Sequence, residues 1–182
     1  MSNPGFDENT TDWSSTGTLT RVTTDASLGP LFGTHFGKVA YTTTTAITGV
    51  AYLPYVAEGG EDFIVSAYVR GPAATYTING TAYTVPSTDT AVWHRISGVY
   101  SLTAGATSLS WTISVAATVA GATYFHIDSA QAEYGRIPHR YVDAADGTNT
   151  TALANPINSA KNMYAIQGES TYSGKSNFLY NY

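Results

Sequence analysis

The 182-residue chain contains no cysteine. Disulfides, thiolate metal ligands and a cysteine nucleophile are therefore excluded. The compartment stays open, because an oxidising setting permits disulfides without requiring them. Charge is scarce as well. Asp, Glu, Lys and Arg make up 12% of the residues, against about 25% in an ordinary globular chain. The eight Lys and Arg are scattered and the net charge is −5. That argues against a nucleic-acid partner, where clustered cations neutralising phosphate supply most of the binding energy. No apolar run approaches the ~18 residues of a membrane-spanning helix, so membrane insertion is not expected. The opening MSNPGFDENTTDW has neither a basic n-region nor an apolar h-region, so no signal peptide is expected.

What the chain has instead is hydroxyl and aromatic content: 28 threonines and 14 tyrosines. Both residue types favour pleated, half-buried surfaces. Strand signals recur at short spacing, over Thr18–Thr24, Gly37–Thr45, Gly49–Val56, Phe63–Arg70, Trp93–Leu102 and Tyr124–Glu133. Within TYTINGTAYTV, residues 75–85, Asn79-Gly80 separates two alternating runs. A type I′ turn needs φ > 0 at both central residues, which Asn-Gly supplies. That turn sets Ile78 opposite Thr81 and Tyr76 opposite Tyr83. Leu109, Trp111, Ile113 and Val115 alternate with Ser and Thr, which predicts a strand with one buried face and makes Trp111 a core residue. Strands do not alternate with helices, and no helix of ten or more residues is expected before residue 150. The fold class predicted is all-β: an antiparallel β-sandwich of jelly-roll type over residues 1–142, followed by an extended C-terminal arm, 143–182.

Several residues carry candidate chemistry. Along Phe63–Arg70, the side chains of Phe63, Val65, Ala67 and Val69 face one way. Ser66, Tyr68 and Arg70 face the other, with Ile64 interrupting that polar side. A sugar site needs flat aromatics and planar polar groups, so Tyr68 with Arg70 and Trp93 with Arg95 are the candidate carbohydrate-binding residues. Asp128 and Glu133, in YFHIDSAQAEYG, are the one carboxylate pair with the look of a glycosidase. Regular alternation puts them on opposite faces, about 16 Å apart at ~3.3 Å per residue, too far even for an inverting mechanism unless a bulge intervenes. Glu133 is expected at the surface beside Arg136 or Arg140. His35, His94, His126 and His139 are not spaced as a metal site. His126 and Asp128, two apart on one strand, share a face. No Gly-x-Ser-x-Gly elbow is present, and no catalytic constellation emerges, so no enzyme is expected.

Five stretches in order then resemble a known family. NPGFDENTTDW is similar to the opening Asn-x-Gly-Phe-Glu…Trp of carbohydrate-binding jelly rolls of the family 4, 9 and 22 type. FGKVAYT, EGGEDFIVSAYVRG, VWHRISGVYSL and YFHIDSAQAEYG resemble its later strands, over roughly residues 3–135. In those jelly rolls a carboxylate beside the N-terminal Phe and one on the last strand help hold a structural calcium ion. The matching positions are Asp7 and Asp128, so the resemblance implies a possible structural Ca²⁺ there and no required cofactor. Asp7 stands where the family has Glu, and Ser129 where a second Asp often sits. IDSAQAEYGRIPHRYVD resembles the close of jelly-roll modules in bacteriophage tail and other virion proteins. That resemblance implies a virion structural protein, present in repeated copies or as a homo-oligomer. The contacts it implies are other virion proteins and a cell-surface glycan. The aromatic run NFLYNY, with Phe178, Leu179, Tyr180 and Tyr182, is the expected assembly contact.

Overall fold

The computed structural model describes residues 5–7, 9–42, 44–53, 55–86, 90–115 and 124–138. These form ten strands and, among the described residues, no helix: β1 Trp13–Ser15, β2 Thr18–Val22, β3 Phe36–Ala40, β4 Thr45–Tyr52, β5 Asp62–Arg70, β6 Thr75–Ile78, β7 Thr81–Thr84, β8 His94–Ser101, β9 Ser108–Val115 and β10 Tyr124–Tyr134. They build two five-stranded antiparallel sheets, in the orders β1-β4-β9-β6-β7 and β2-β3-β10-β5-β8. Successive strands cross repeatedly between the sheets, as in a jelly roll. The 142/143 boundary, His139, Arg140 and the assembly residues Phe178, Leu179, Tyr180 and Tyr182 lie outside the described residues.

The alternation in the sequence is what builds the core. Phe63, Val65, Ala67 and Val69 of β5 and Leu109, Trp111, Ile113 and Val115 of β9 point inward and are fully buried. Each such aliphatic or Phe side chain contributes roughly 1.5–3 kcal/mol on leaving water. Trp13 packs its ring edge-on to Trp111, with centroids 5.3 Å apart, and stacks on Phe6 at 4.9 Å. This clamps the N-terminal segment into the sandwich. β1, which no alternation announces, exists because Trp13 is anchored there. The sequence-expected strand Gly37–Thr45 ends at Ala40, and Thr45 instead opens β4 in the other sheet.

The hairpin has the predicted register: Ile78 opposes Thr81 and Tyr76 opposes Tyr83. Asn79 and Gly80 take φ of 45° and 82°, the left-handed pair that type I′ requires. Asn79 also ties the hairpin to β9. Its N–H donates to Thr112 O, and its side-chain Oδ1 accepts from Thr112 N–H, both at 3.2 Å.

β10 departs from regular alternation. Its pairing with β5 shifts between Asp128, opposite Tyr68, and Gln131, opposite Ser66. Three steps on β10 thus match two on β5, a β-bulge, and Ser129 sits within it at φ 52°. The extra residue reverses the side-chain parity of everything after it.

Candidate functional site

The outer face of the second sheet collects the predicted binding residues. Antiparallel pairing sets Arg70 opposite His126, and Tyr68 opposite both Asp128 and Arg95. Directly opposed residues share a face, so Tyr68, Arg70, Arg95, His126 and Asp128 all project outward from adjacent strands. Trp93, one residue before β8, joins them: the Arg70 guanidinium lies 4.2 Å from its ring centroid and 5.2 Å from that of Phe36. Arg95 reaches across to Ser66 Oγ, 3.0 Å from its Nη2, and sits 5.9 Å from the Tyr68 ring. All four sequence-predicted carbohydrate residues therefore meet in one region. Their roles divide, however. Arg70 is buried and spent on neighbours, while Tyr68, Trp93 and Arg95 remain half-exposed.

A loop over residues 23–35 lies across this face, and three carboxylates pin it. Its first turn is closed by the Asp25–Leu28 backbone pair, with Ala26 and Ser27 at φ 47° and 68°. Asp25 Oδ2 accepts from Lys38 Nζ and His126 Nε2, each at 2.8 Å. Gly29 O accepts from Arg70 Nη1 at 3.1 Å. Asp128 Oδ2 accepts the N–H groups of Leu31 and Phe32, at 2.7 and 3.3 Å. Asp7 Oδ1 accepts from Thr34 N–H, Thr34 Oγ1 and His35 N–H, at 2.6, 2.9 and 3.0 Å. The loop also places the Phe32 ring edge-on to Tyr68, centroids 6.4 Å apart.

Electrostatics follow from this packing. The ion pair with Lys38 holds Asp25 below its usual range, against the opposing effect of burial. Burial pushes His126 down. Its partners fit the neutral Nε2–H tautomer, with Nε2 donating to Asp25 and Nδ1 accepting from Arg70 Nε at 3.3 Å. Burial also lowers Arg70. Asp128 is fully buried, and burial pushes its carboxyl up to about 7, against the opposing pull of the two loop amides on Oδ2 and of the adjacent Ser129 hydroxyl and amide. Its other oxygen, Oδ1, is buried without a hydrogen-bond partner.

Two expectations need correction. Asp128 and Glu133 do not lie on opposite faces. Across the bulge they oppose Tyr68 and Ile64, residues of the same β5 face. Those partners are four steps apart on β5, or about 13 Å along the strand at ~3.3 Å per residue, still beyond the ~6.5–9.5 Å of an inverting pair. Glu133 is not a surface residue either: it is 6% exposed. Arg136, expected beside Glu133, bonds Asp62 at 2.8 Å instead. His126 shares a face with Asp128 as expected, but its hydrogen bonds go to Asp25 and Arg70. Asp25, Phe32, Phe36 and Lys38 were not singled out by the sequence. No local pattern marks a loop aspartate whose partners lie 13 and 101 residues away.

Asp7 and Asp128 bind consecutive parts of one loop, residues 34–35 and 31–32, without touching each other through any shared hydrogen bond. Among the described residues, no group of three or more His, Cys, Asp or Glu converges as a metal site. Asp128 Oδ1 is buried without a hydrogen-bond partner, and a carboxylate oxygen is the donor type that calcium takes.

No protein-family model matches the chain, and no curated protein matches it. Solved structures do. The tailspike protein 4 enzymatically active domain of bacteriophage CBA120 aligns with a TM-score of 0.52 and 16% identity, over 74% of this chain and 21% of that one. This chain thus spans about a fifth of the tailspike chain. TmCBM61, solved with β-1,4-galactotriose, aligns with a TM-score of 0.51 and 16% identity, over 74% of this chain and 97% of that one. The CBM22-2 xylan-binding domain from Paenibacillus barcinonensis Xyn10C gives 0.50 and 16%, over 72% and 97%. At these identities the likeness shows the fold: the chain is an antiparallel jelly-roll β-sandwich of the kind carbohydrate-binding modules have.

Proposed function

We propose that the chain is a non-catalytic recognition module whose ligand is a polysaccharide, bound over Tyr68, Trp93 and Arg95 with Phe32 beside them. The observation that carries this reading is the convergence on one sheet face of aromatic and planar polar side chains from β5, β8 and the 23–35 loop. Flat rings stack on the apolar faces of sugars, and guanidinium groups bond their hydroxyls. Arg70 acts from below as a positioning residue. It fixes the Trp93 ring by a cation–π contact and holds the loop through Gly29 O. The similarity to modules solved with a galactotriose or described as xylan-binding supports a polysaccharide as the ligand class. Affinity electrophoresis in gels cast with soluble polysaccharides tests it. Tyr68→Ala should release the chain from a retarding gel while leaving its melting temperature within a few degrees. Equal retardation of Tyr68→Ala and wild type would refute it.

A second reading is compatible with the first: the module is a structural component of a bacteriophage virion, a minor tail, fibre-associated or capsid-decoration part in repeated copies. The likeness to a phage tailspike domain and the closing IDSAQAEYGRIPHRYVD stretch support it. Immunogold microscopy of particles from the source lysate tests it. Label at a fixed place on virions is the expected result, and label confined to soluble protein or cell wall would overturn it. In either setting, Asp7 and Asp128 are the residues proposed to hold a structural Ca²⁺. The ion would fasten the 29–35 loop between the first segment and the last strand.

A further inference from the structure

The described residues include five Lys and Arg: Arg21, Lys38, Arg70, Arg95 and Arg136. Four of them meet oxygens that answer their charge. Lys38 pairs with Asp25 and Arg136 with Asp62, each at 2.8 Å. Arg21 donates to the Phe6 and Asp7 carbonyls. Arg70 donates to Gly29 O and lies within the fields of Asp25 and Asp128. Arg95 differs. Among the described residues it has no carboxylate or carbonyl partner. Its hydrogen bond runs from Nη2 to the neutral Ser66 hydroxyl at 3.0 Å, and its Nε is buried with no partner. A guanidinium carries five N–H donors, so most of this one's capacity is unused. The side chain is nevertheless well placed. Ile96 beside it is buried in the core, which fixes the facing of β8 and turns Arg95 outward. There it stands opposite Tyr68, 5.9 Å from the ring, and two residues from Trp93.

A ligand covering this face takes water away from Arg95. Burying a charge is costly unless it is paired. A neutral sugar returns only hydroxyls. A carboxylate returns two oxygens at the spacing of the guanidinium fork, in charge-assisted bonds roughly twice as strong as neutral ones. Resting on the polysaccharide reading above, we propose that the ligand is an acidic polysaccharide containing uronic acid residues, and that Arg95 selects it by binding a carboxylate through Nη1 and Nη2 while a sugar ring stacks on Tyr68. The carboxylates of the same face do not oppose this. Asp25 is paired with Lys38, Glu133 is buried, and Asp128 is buried with its Oδ2 on the loop amides. Asp128 also stands two strands from Arg95, about 10 Å at ~4.8 Å per strand. The net charge of −5 repels a polyanion at long range, but salt screens that repulsion beyond about 8 Å at physiological ionic strength. It also makes non-specific ion exchange unfavourable, so binding to a polyanion reports a specific contact.

Affinity electrophoresis of the full chain tests this, in gels cast with polygalacturonate, alginate or hyaluronate and with the same polymers after their carboxyl groups are reduced to alcohols. Neutral galactan and xylan complete the panel. At least one acidic polymer should retard the chain, and its reduced form should bind about tenfold more weakly. Arg95→Gln should lose about tenfold in affinity for the acidic polymer and bind both forms alike. Arg95→Lys keeps the charge without the fork and should fall between them. Melting temperatures within a few degrees of wild type identify folded variants, and Arg95→Lys carries the test if Arg95→Gln does not fold. Added NaCl should weaken wild-type binding to the acidic polymer more than that of Arg95→Gln. Retardation by neutral polymers alone, or equally by acidic and reduced forms, would overturn the inference and leave the polysaccharide reading standing. A preference for the acidic form that survives in both Arg95 variants would overturn it as well. Retardation by none of the polymers would overturn both.

Discussion

Asp128 is a fully buried carboxylate whose Oδ2 accepts two loop amides and whose Oδ1 has no hydrogen-bond partner. In the absence of cations this has a definite thermodynamic consequence. Burial raises its folded pKa to about 7 from an ordinary 3.8. The folded state therefore holds the proton more tightly than the unfolded chain does. The stability this contributes is complete below pH ~4 and is lost as pH rises through ~7. That difference corresponds to at most ~4 kcal/mol of pH-dependent stability. Asp128→Asn copies the shape of the protonated acid and cannot ionise, so its stability should lack this slope. Urea denaturation of both chains in EDTA, from pH 4 to 8, reads the difference directly. The variant should gain on wild type steadily across the range and exceed it by a few kcal/mol at pH 8. His126, held down by burial, works in the opposite sense by favouring the fold as pH rises through its ordinary range, but it is present in both chains and cancels. A wild-type-minus-variant difference that stays constant from pH 4 to 8 would refute the argument that desolvation governs this carboxyl. Added Ca²⁺ gives a second arm: wild type should recover stability at pH 8 and Asp128→Asn should not.

Other perturbations follow from the same packing. Gly98→Ala puts a Cβ into the Ile78 carbonyl of the facing sheet, a backbone atom that cannot swing aside. Overpacking of this kind costs about 1–3 kcal/mol, measurable as a lower urea midpoint, and a neutral result would contradict the close approach. Tyr68→Ala should weaken polysaccharide binding about tenfold, or ~1.4 kcal/mol, by affinity electrophoresis or calorimetry. Trp93→Ala should weaken it further and also loosen the loop, since Arg70 loses a cation–π partner worth about 0.5–2 kcal/mol; faster amide exchange at residues 29–32 is the accompanying sign. Deleting residues 169–182 should leave the sandwich folded by circular dichroism but abolish incorporation into particles, if the arm makes the assembly contact.

The fold was legible because its signals are local. Asn79-Gly80 dictates its own turn, and the hairpin register follows. Leu109, Trp111, Ile113 and Val115 state in their spacing which face of β9 is buried. The four candidate sugar residues were legible for the same reason, because two-residue spacing put each pair on one face. That the two pairs meet was not, since it depends on β5 and β8 being neighbours in the second sheet. The 23–35 loop was least legible of all. Its conformation is set by Asp7, Asp128, Lys38 and Arg70, residues that only tertiary structure brings to it.

The bulge at Ser129 shows how one residue can undo a sound local rule. Alternation is a property of a regular ladder, and a sequence does not announce where the ladder slips. Up to Asp128 the rule holds, so His126 and Asp128 share the outer face. Past Ser129 it inverts, bringing Glu133 to that same face and turning Ala130 and Ala132 inward against the core. Two alanines are the right size there, because β10 pairs with β5 where Phe63 and Val65 already fill the interior. The bulge thus does two things at once. It lets small residues close the sandwich at one end. It also leaves Asp128 opposite Tyr68, where its carboxylate reaches the Leu31 and Phe32 amides and sets the loop that carries Phe32 to the candidate site.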